Sequence, residues 1–331
     1  MAFSSSINSE SLQSPHGSSA HDMIFFTICS RNFMGYSNAL YRGVSSTHPK
    51  AKFYAVICDD ERAGDPGGVP YEIITLSQLG IPNIEAMLQN YNITELNTSL
   101  KPFAFMLLFD RHEGLPVIYL DPDIMVLSRL QEVEQAFDAG AHCILTPHLC
   151  EPAEYAEMDD KQFLKYGIYN LGFCAFVGTE QVKNTVSWWA RRLERYCIID
   201  LKNGIFVDQK WADYFPAFIE KTAILRHPGY NVAYWNLSQR RLARKGEAWT
   251  VNGAPLRFFH FSGNEIANKE VFTRHSKQFT PRNTPELRNI LDQYRTLLYD
   301  CGHEYYSKIP YSFSWSGPSG FNEHTPEKKK K

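Results

Sequence analysis

No two of the seven cysteines in this 331-residue chain stand in a C-x-x-C spacing, and their number is odd. Both a disulfide framework and a structural zinc site are thereby disfavoured. Cys29, Cys58 and Cys174 lie inside apolar runs, where the free buried thiols of a reducing cytosol are expected. No apolar run approaches the roughly 18 residues of a membrane span, so no transmembrane helix is expected. Residues 1–21 are Ser-rich and lack the basic and apolar regions of a signal peptide, which predicts a disordered tail and a cytoplasmic protein. Nor is there a basic excess: 34 Lys and Arg against 36 Asp and Glu leave a formal net charge of −2, which argues against a nucleic-acid partner. The exception is the basic run from Lys328 to Lys331. It reads either as a solvated tail or as a weak contact with an anionic surface, the inner face of a membrane included. There is no internal repeat.

What the chain does have is aromatic bulk, 14% of residues, suiting either a heavy core or a cleft that stacks rings. Short apolar runs at residues 23–30 (MIFFTICS), 52–58 (KFYAVIC), 71–76 and 116–120 (PVIYL) read as buried strands. A helix-length stretch at 33–46 separates the first two, and helical pattern fills about 84–110, interrupted by the Asn92 cap and by Pro102. Further strands are expected at 143–146, 169–177 and 256–261, and helices at 131–139, 181–196, from 206 to 220 and at 285–299. Alternating strands and helices predict an α/β fold built on a mixed, mostly parallel sheet flanked by helices.

The chemistry concentrates at strand ends. Asp121-Pro122-Asp123 follows the run Val117 to Leu120, and ligands of open α/β sheets bind beyond the carboxyl ends of strands. Two carboxylates in an i, i+2 relation repel unless a hard cation such as Mn²⁺ or Mg²⁺ neutralises them, although Asp and Pro are also ordinary turn residues. His260 ends the apolar run Leu256 to Phe261 as a candidate third ligand or a satisfied core histidine. Gly263 beyond it would let a phosphate approach the backbone. Asp208 and Gln209 open a helix, where they can hold sugar hydroxyls or merely cap it. Asn170 interrupts an apolar strand and needs a hydrogen-bond partner, a sugar hydroxyl being one candidate. Lys101 can face a phosphate or be surface charge. The stretch from Tyr230 to Trp235 is either an acceptor wall or core.

In order along the chain, K-P-F-x-F, V-I-Y-L-D-P-D-I-x-V, Y-N-L-G-F, V-D-Q-K-W, H-P-G-Y-N-V-A-Y-W-N and F-F-H-F-S-G resemble the bacterial GT-A-fold glycosyltransferases, in particular the retaining, family 8-like enzymes. The resemblance spans roughly residues 23–264. It implies a single transferase domain at 22–275, followed by a helical extension at 276–312 and a flexible tail at 313–331. It also implies that Asp121, Asp123 and His260 hold Mn²⁺ or Mg²⁺ on a nucleotide-diphosphate sugar, a UDP-sugar leading. Asn170, Asp208 and Gln209 would face the donor sugar and the reacting carbon, while Thr27, Ser30, Asn32 and Asp59 hold base and ribose. The acceptor implied is a glycan, a lipid-linked glycan or another polysaccharide precursor, which implies a part in polysaccharide biosynthesis. The family's H-x-x-G-x-x-K pattern is broken, because position 266 is Ile; Lys101, Lys269 or Arg274 is left to meet the diphosphate. Two rival readings are a sugar-1-phosphate nucleotidyltransferase and a non-catalytic binding module on the same fold. The first would carry a Gly-rich, basic loop after the first strand, where Ser30-Arg31-Asn32-Phe33-Met34-Gly35 has one Arg and one Gly.

Overall fold

The computed structural model describes residues 22–59, 68–154 and 157–313. The tail expected at 1–21, part of the loop after the second strand, and the tail carrying Lys328 to Lys331 lie outside the described residues.

Strand β1 (Ile24–Cys29) is buried along its whole length, as an apolar run sandwiched between helices must be. Helix α1 (Met34–Thr47) returns the chain to β2 (Lys52–Ile57), parallel to β1, and β3 (Glu72–Thr75) extends that sheet edge. Three helices follow: α2 (Ile84–Asn90), α3 (Ile93–Ser99) and α4 (Lys101–Arg111). Asn92 closes a capping box with Glu95 at the start of α3. Pro102 starts α4 instead of interrupting a longer helix, because in a first turn its missing N–H leaves nothing unsatisfied.

β4 (Pro116–Leu120) lies beside β1, while β5 (Ile124–Val126) leaves the sheet and pairs antiparallel with the late strand Phe258–His260. After α5 (Gln131–Asp138) come β6 (Cys143–Pro147), α6 (Asp160–Tyr166), β7 (Tyr169–Val177) and α7 (Glu180–Tyr196). β7 runs antiparallel between β4 and β6, and the edge strand Thr222–Ile224 lies parallel to β6. The seven-stranded sheet is thus ordered Thr222–Ile224, β6, β7, β4, β1, β2, β3. This is the α/β architecture read from the strand and helix patterns, a mostly parallel sheet with helices against it.

The expected helix from 206 to 220 is a 3₁₀ turn, Lys210–Tyr214, followed by the single turn α8 (Phe215–Phe218). In a continuous α-helix the ring of Pro216 would meet the carbonyl four residues earlier. Beyond it the chain forms a small antiparallel sheet, Leu242–Lys245, Ala248–Val251 and Ala254–Pro255. Helix α9 (Pro285–Asp300) then places Leu287, Ile290, Leu291, Tyr294 and Leu298 on one buried face. That face shares a core with Phe259, Phe261, Tyr36 and Ala39, and the Tyr294 ring stacks flat on Phe261 at 3.8 Å. Each such side chain contributes about 1.5–3 kcal/mol on burial. The short α10 (His303–Tyr306) packs against α1. No helix among the described residues is long and apolar enough to cross a membrane. All seven cysteines are free; Cys150 is half-buried and the others are buried.

Candidate active site

The turn after β4 and the strand that pairs with β5 bring the two acids and the histidine together. Antiparallel pairing sets His260 opposite Ile124, and the Phe261 N–H donates to the Asp123 carbonyl at 3.0 Å. One donor atom from each of Asp121, Asp123 and His260 lies within 4.8 Å of the others. His260 Nε2 is 3.1 Å from Asp123 Oδ1 and 3.6 Å from Asp121 Oδ2. Burial works against an imidazolium here, but Asp123 and then Asp121 outweigh it and hold His260 above its ordinary value. Two carboxylate oxygens and one imidazole nitrogen on a single spot fit a hard divalent cation.

Behind the acids sits Lys101, 2% exposed. Its Nζ is 2.7 Å from Asp208 Oδ2 and 3.8 Å from Asp121 Oδ1, and it donates to the Leu171 carbonyl at 2.9 Å. It also lies 4.4 Å from the Tyr119 ring centroid, whose hydroxyl donates to Asp121 Oδ1 at 2.5 Å. Asp121 therefore turns one oxygen to Tyr119 and Lys101 and the other to His260. Burial pushes the Asp208 carboxyl up and Lys101 pulls it back; burial disfavours the Lys101 ammonium, but Asp208 and Asp121 keep it charged. Val207, just before this acid, has φ +40°, a strained conformation for a β-branched residue.

Asn170 and Gln209 meet here, as the sequence suggested, but bond to one another. Asn170 Nδ2 donates to Gln209 Oε1 at 3.2 Å, and Gln209 also accepts from the Leu171 N–H and donates to the Tyr166 carbonyl. Both side-chain amides thus have partners within the protein. The Asp208 carboxylate is likewise held by Lys101 instead of capping a helix. At Gly263, with φ +69°, an added Cβ would lie 2.4 Å from a ring carbon of His275, so a side chain and not open space faces it. Of the stretch from Tyr230 to Trp235, Tyr230 and Trp235 are core, 1% and 3% exposed, and Tyr234 is half-buried.

Two cavities flank the turn after β1. One, of about 220 Å³, is lined by Cys29, Ser30, Phe33, Asn97 and Thr98 together with Asp121 and Asp123. The other, of about 450 Å³, is bounded by Asp59, Leu76, Ile81, Ile84 and Phe313. Ser30 Oγ donates to Asn32, and the Asp59 carboxylate accepts from the Arg31 N–H at 2.8 Å, tying this turn to the end of β2. Thr27 is wholly buried within β1, and its hydroxyl has no hydrogen-bond partner among the described residues.

Four contributors were not read from the sequence: Tyr119, His148, Gly172 and Asn231. Asn231 lies in the left-handed region at φ +49°, and its Oδ1 is 3.0 Å from His260 Nδ1. An added Cβ on Gly172 would fall 2.4 Å from His260 Cε1, so only glycine leaves room for the ring. A glycine inside an apolar strand was the available signal.

No model of a known protein family matches the chain. Among curated proteins it is similar to two of Bacillus subtilis strain 168, both described as uncharacterized. YfnF is 24% identical over 295 residues, 82% of this chain and 94% of that protein. YfnD is 24% identical over 224 residues, 66% of this chain and 70% of that protein. Similar solved structures are glycosyltransferases. The galactosyltransferase LgtC, solved with donor and acceptor sugar analogues, is 15% identical, covers 83% of this chain and 100% of its own, and superposes with a TM-score of 0.48. Mouse xyloside xylosyltransferase 1 is 11% identical over 72% of this chain and 97% of its own, with a TM-score of 0.42.

Proposed function

We propose that this chain is a GT-A-type glycosyltransferase, dependent on Mn²⁺ or Mg²⁺, that moves a hexose from a nucleotide-diphosphate donor, a UDP-sugar first among candidates, to a glycan or lipid-linked glycan acceptor. The observation that carries the reading is the convergence of Asp121, Asp123 and His260 beyond the carboxyl end of a central strand, where the two acids line a cavity. Asp121, Asp123 and His260 would hold the ion, which when bound neutralises charge on the departing nucleoside diphosphate.

The remaining work falls to the protein. The cavities on either side of the Ser30–Arg31 turn accommodate the nucleoside and its sugar, with the Asp59 side taking the base and Ser30 and Asn32 near the ribose. Asn170 and Gln209, bonded to each other, brace the floor of the sugar site. Lys101 holds Asp208 and Asp121 in fixed positions without reaching solvent, so a diphosphate cation is better sought at Lys269 or Arg274. Retention of configuration is supported by the carboxylates available. Among the described residues, Asp121 and Asp123 are the acids lining the smaller cavity. Asp208, the candidate base for inversion, is 1% exposed and ion-paired.

The test is a panel of nucleotide sugars assayed for binding and slow hydrolysis with Mn²⁺, with Mg²⁺ and with chelator. Metal-dependent binding of one donor, with turnover lost in Asp123→Ala, supports the reading and names the donor. Failure to bind any nucleotide sugar refutes it.

A further inference from the structure

The polar side chains around His260 form one hydrogen-bonded array whose direction is dictated by backbone groups. The Gly172 N–H donates to Asn170 Oδ1 at 3.0 Å, which fixes the oxygen side of that amide. Asn170 Nδ2 is therefore a donor, and His148 Nε2, 3.2 Å away, accepts from it. That assignment leaves His148 Nδ1 protonated, and it faces the Ile168 carbonyl at 3.2 Å, an obligate acceptor. Gln209 is set in the same way: its Oε1 accepts from the Leu171 N–H and its Nε2 donates to the Tyr166 carbonyl. Two independent routes agree on the polarity of Asn170.

Asn231 is the next member. Its Nδ2 donates to Asn170 Oδ1 at 3.0 Å and to Thr146 Oγ1 at 2.9 Å, so its Oδ1 is an acceptor. That oxygen lies 3.0 Å from His260 Nδ1, which must then carry the proton. Rotating the Asn231 amide would set its oxygen against Asn170 Oδ1, replacing a hydrogen bond by a contact between two acceptors, while the Thr146 hydroxyl could bond either end. The ring itself has little freedom, with Gly172 below it and Trp235 edge-on at 5.2 Å.

We propose that Asn231, oriented by Asn170, is a positioning residue that locks His260 in its Nδ1–H tautomer and so leaves Nε2 bare to join Asp121 and Asp123 as a ligand. Resting on the reading of this cluster as a metal centre, the lock explains why an asparagine occupies a left-handed backbone position. Its side chain must reach two partners on one side and the ring on the other, and Asn tolerates that backbone better than most residues.

The test is nitrogen NMR of the full-length, histidine-labelled protein saturated with diamagnetic Mg²⁺, which neutralises the Asp123 carboxylate 3.1 Å from Nε2, at a mildly alkaline pH where imidazoles are neutral. The His260 signal is assigned by its disappearance in His260→Gln. The expected wild-type spectrum has a protonated Nδ1 and a bare Nε2; a protonated Nε2 would overturn the proposal without any variant. Asn231→Ala should yield a tautomer mixture and weaken binding of Mn²⁺ alone by roughly 10- to 100-fold, the usual cost of losing the partner behind a metal-bound histidine. Asn231→Asp, which keeps an acceptor at the ring but loses the donors, should retain the Nδ1–H tautomer. Unchanged tautomer and Mn²⁺ affinity in Asn231→Ala would also overturn it. A wild type that binds neither Mg²⁺ nor Mn²⁺ would refute the metal centre, whereas one that binds them with Nδ1 bare would refute the lock alone.

Discussion

Replacing Gly172 by alanine adds one carbon at the most crowded point of the site. That carbon would lie 2.4 Å from His260 Cε1, 2.7 Å from Nδ1 and 2.8 Å from Asn170 Oδ1, all well inside van der Waals contact. The backbone itself is not the obstacle, because Gly172 is not among the residues with positive φ. Relief must come from the imidazole, which is 3% exposed and hemmed in by Trp235 and Asn231, or from β7, which is paired on both edges. Overpacking of this kind costs about 1–3 kcal/mol. A shift of Nε2 away from the acids should in addition weaken Mn²⁺ at least tenfold, or about 1.4 kcal/mol. Urea unfolding in chelator reads the first quantity, and electron paramagnetic resonance of free Mn²⁺ reads the second. The control is a double-mutant cycle with His260→Ala: once the ring is gone, alanine at 172 should cost clearly less, with only the contact to Asn170 Oδ1 at 2.8 Å remaining. Equal cost with and without the ring, or unchanged Mn²⁺ affinity in Gly172→Ala, would refute this account of the glycine.

Asp123→Ala should abolish Mn²⁺ binding and turnover while leaving the chelated protein about as stable as before, since one of two repelling acids is gone. A large loss of stability with metal binding intact would make Asp123 structural. Lys101→Met should cost about 3–5 kcal/mol by stranding the buried Asp208, and Lys101→Met with Asp208→Asn should recover most of it; a cost that persists in the double variant would contradict the pairing. Stability should also fall with acid. Burial lowers His48 to about 4 and His148 to about 3 from an ordinary 6.5, and the His48 Nε2 accepts from the Leu130 N–H at 3.1 Å. Both rings are neutral when folded and charge in the unfolded chain, so the unfolded state binds more protons below 6.5. Stability is therefore full above that pH and lost as it falls toward 4 and 3. His48→Gln, which keeps an acceptor for Leu130, should remove about one proton from the slope of urea midpoint against pH; an unchanged slope would exclude His48.

Strands and acids were legible because their signals are local. The apolar run at residues 169–177 matches β7 residue for residue, and Asp121 and Asp123 follow β4 as the pattern required. What was missed depends on distant partners. Nothing near Asp208 announces that Lys101 will neutralise it, and nothing near Asn170 announces His148 or Asn231, because each contact is made by the sheet order. Some signals were present and passed over. Asn252-Gly253, both at positive φ, is a two-residue hairpin turn of the ordinary kind between Ala248–Val251 and Ala254–Pro255. The helix expected from 206 to 220 does not form because Pro216 fits a first turn but not a helix interior.

The pairing of β5 with Phe258–His260, and the stacking of Tyr294 on Phe261, have a consequence for how the protein comes into being. Two of the three candidate metal ligands, Asp121 and Asp123, are synthesised more than a hundred residues before the third, His260. Its seat is finished only when α9 has left the ribosome. During translation the acids must wait with Lys101 as their nearest cation, and a chain released before α9 would expose them without a closed site. The finished site is in this sense a checkpoint: only a chain that includes α9 presents it.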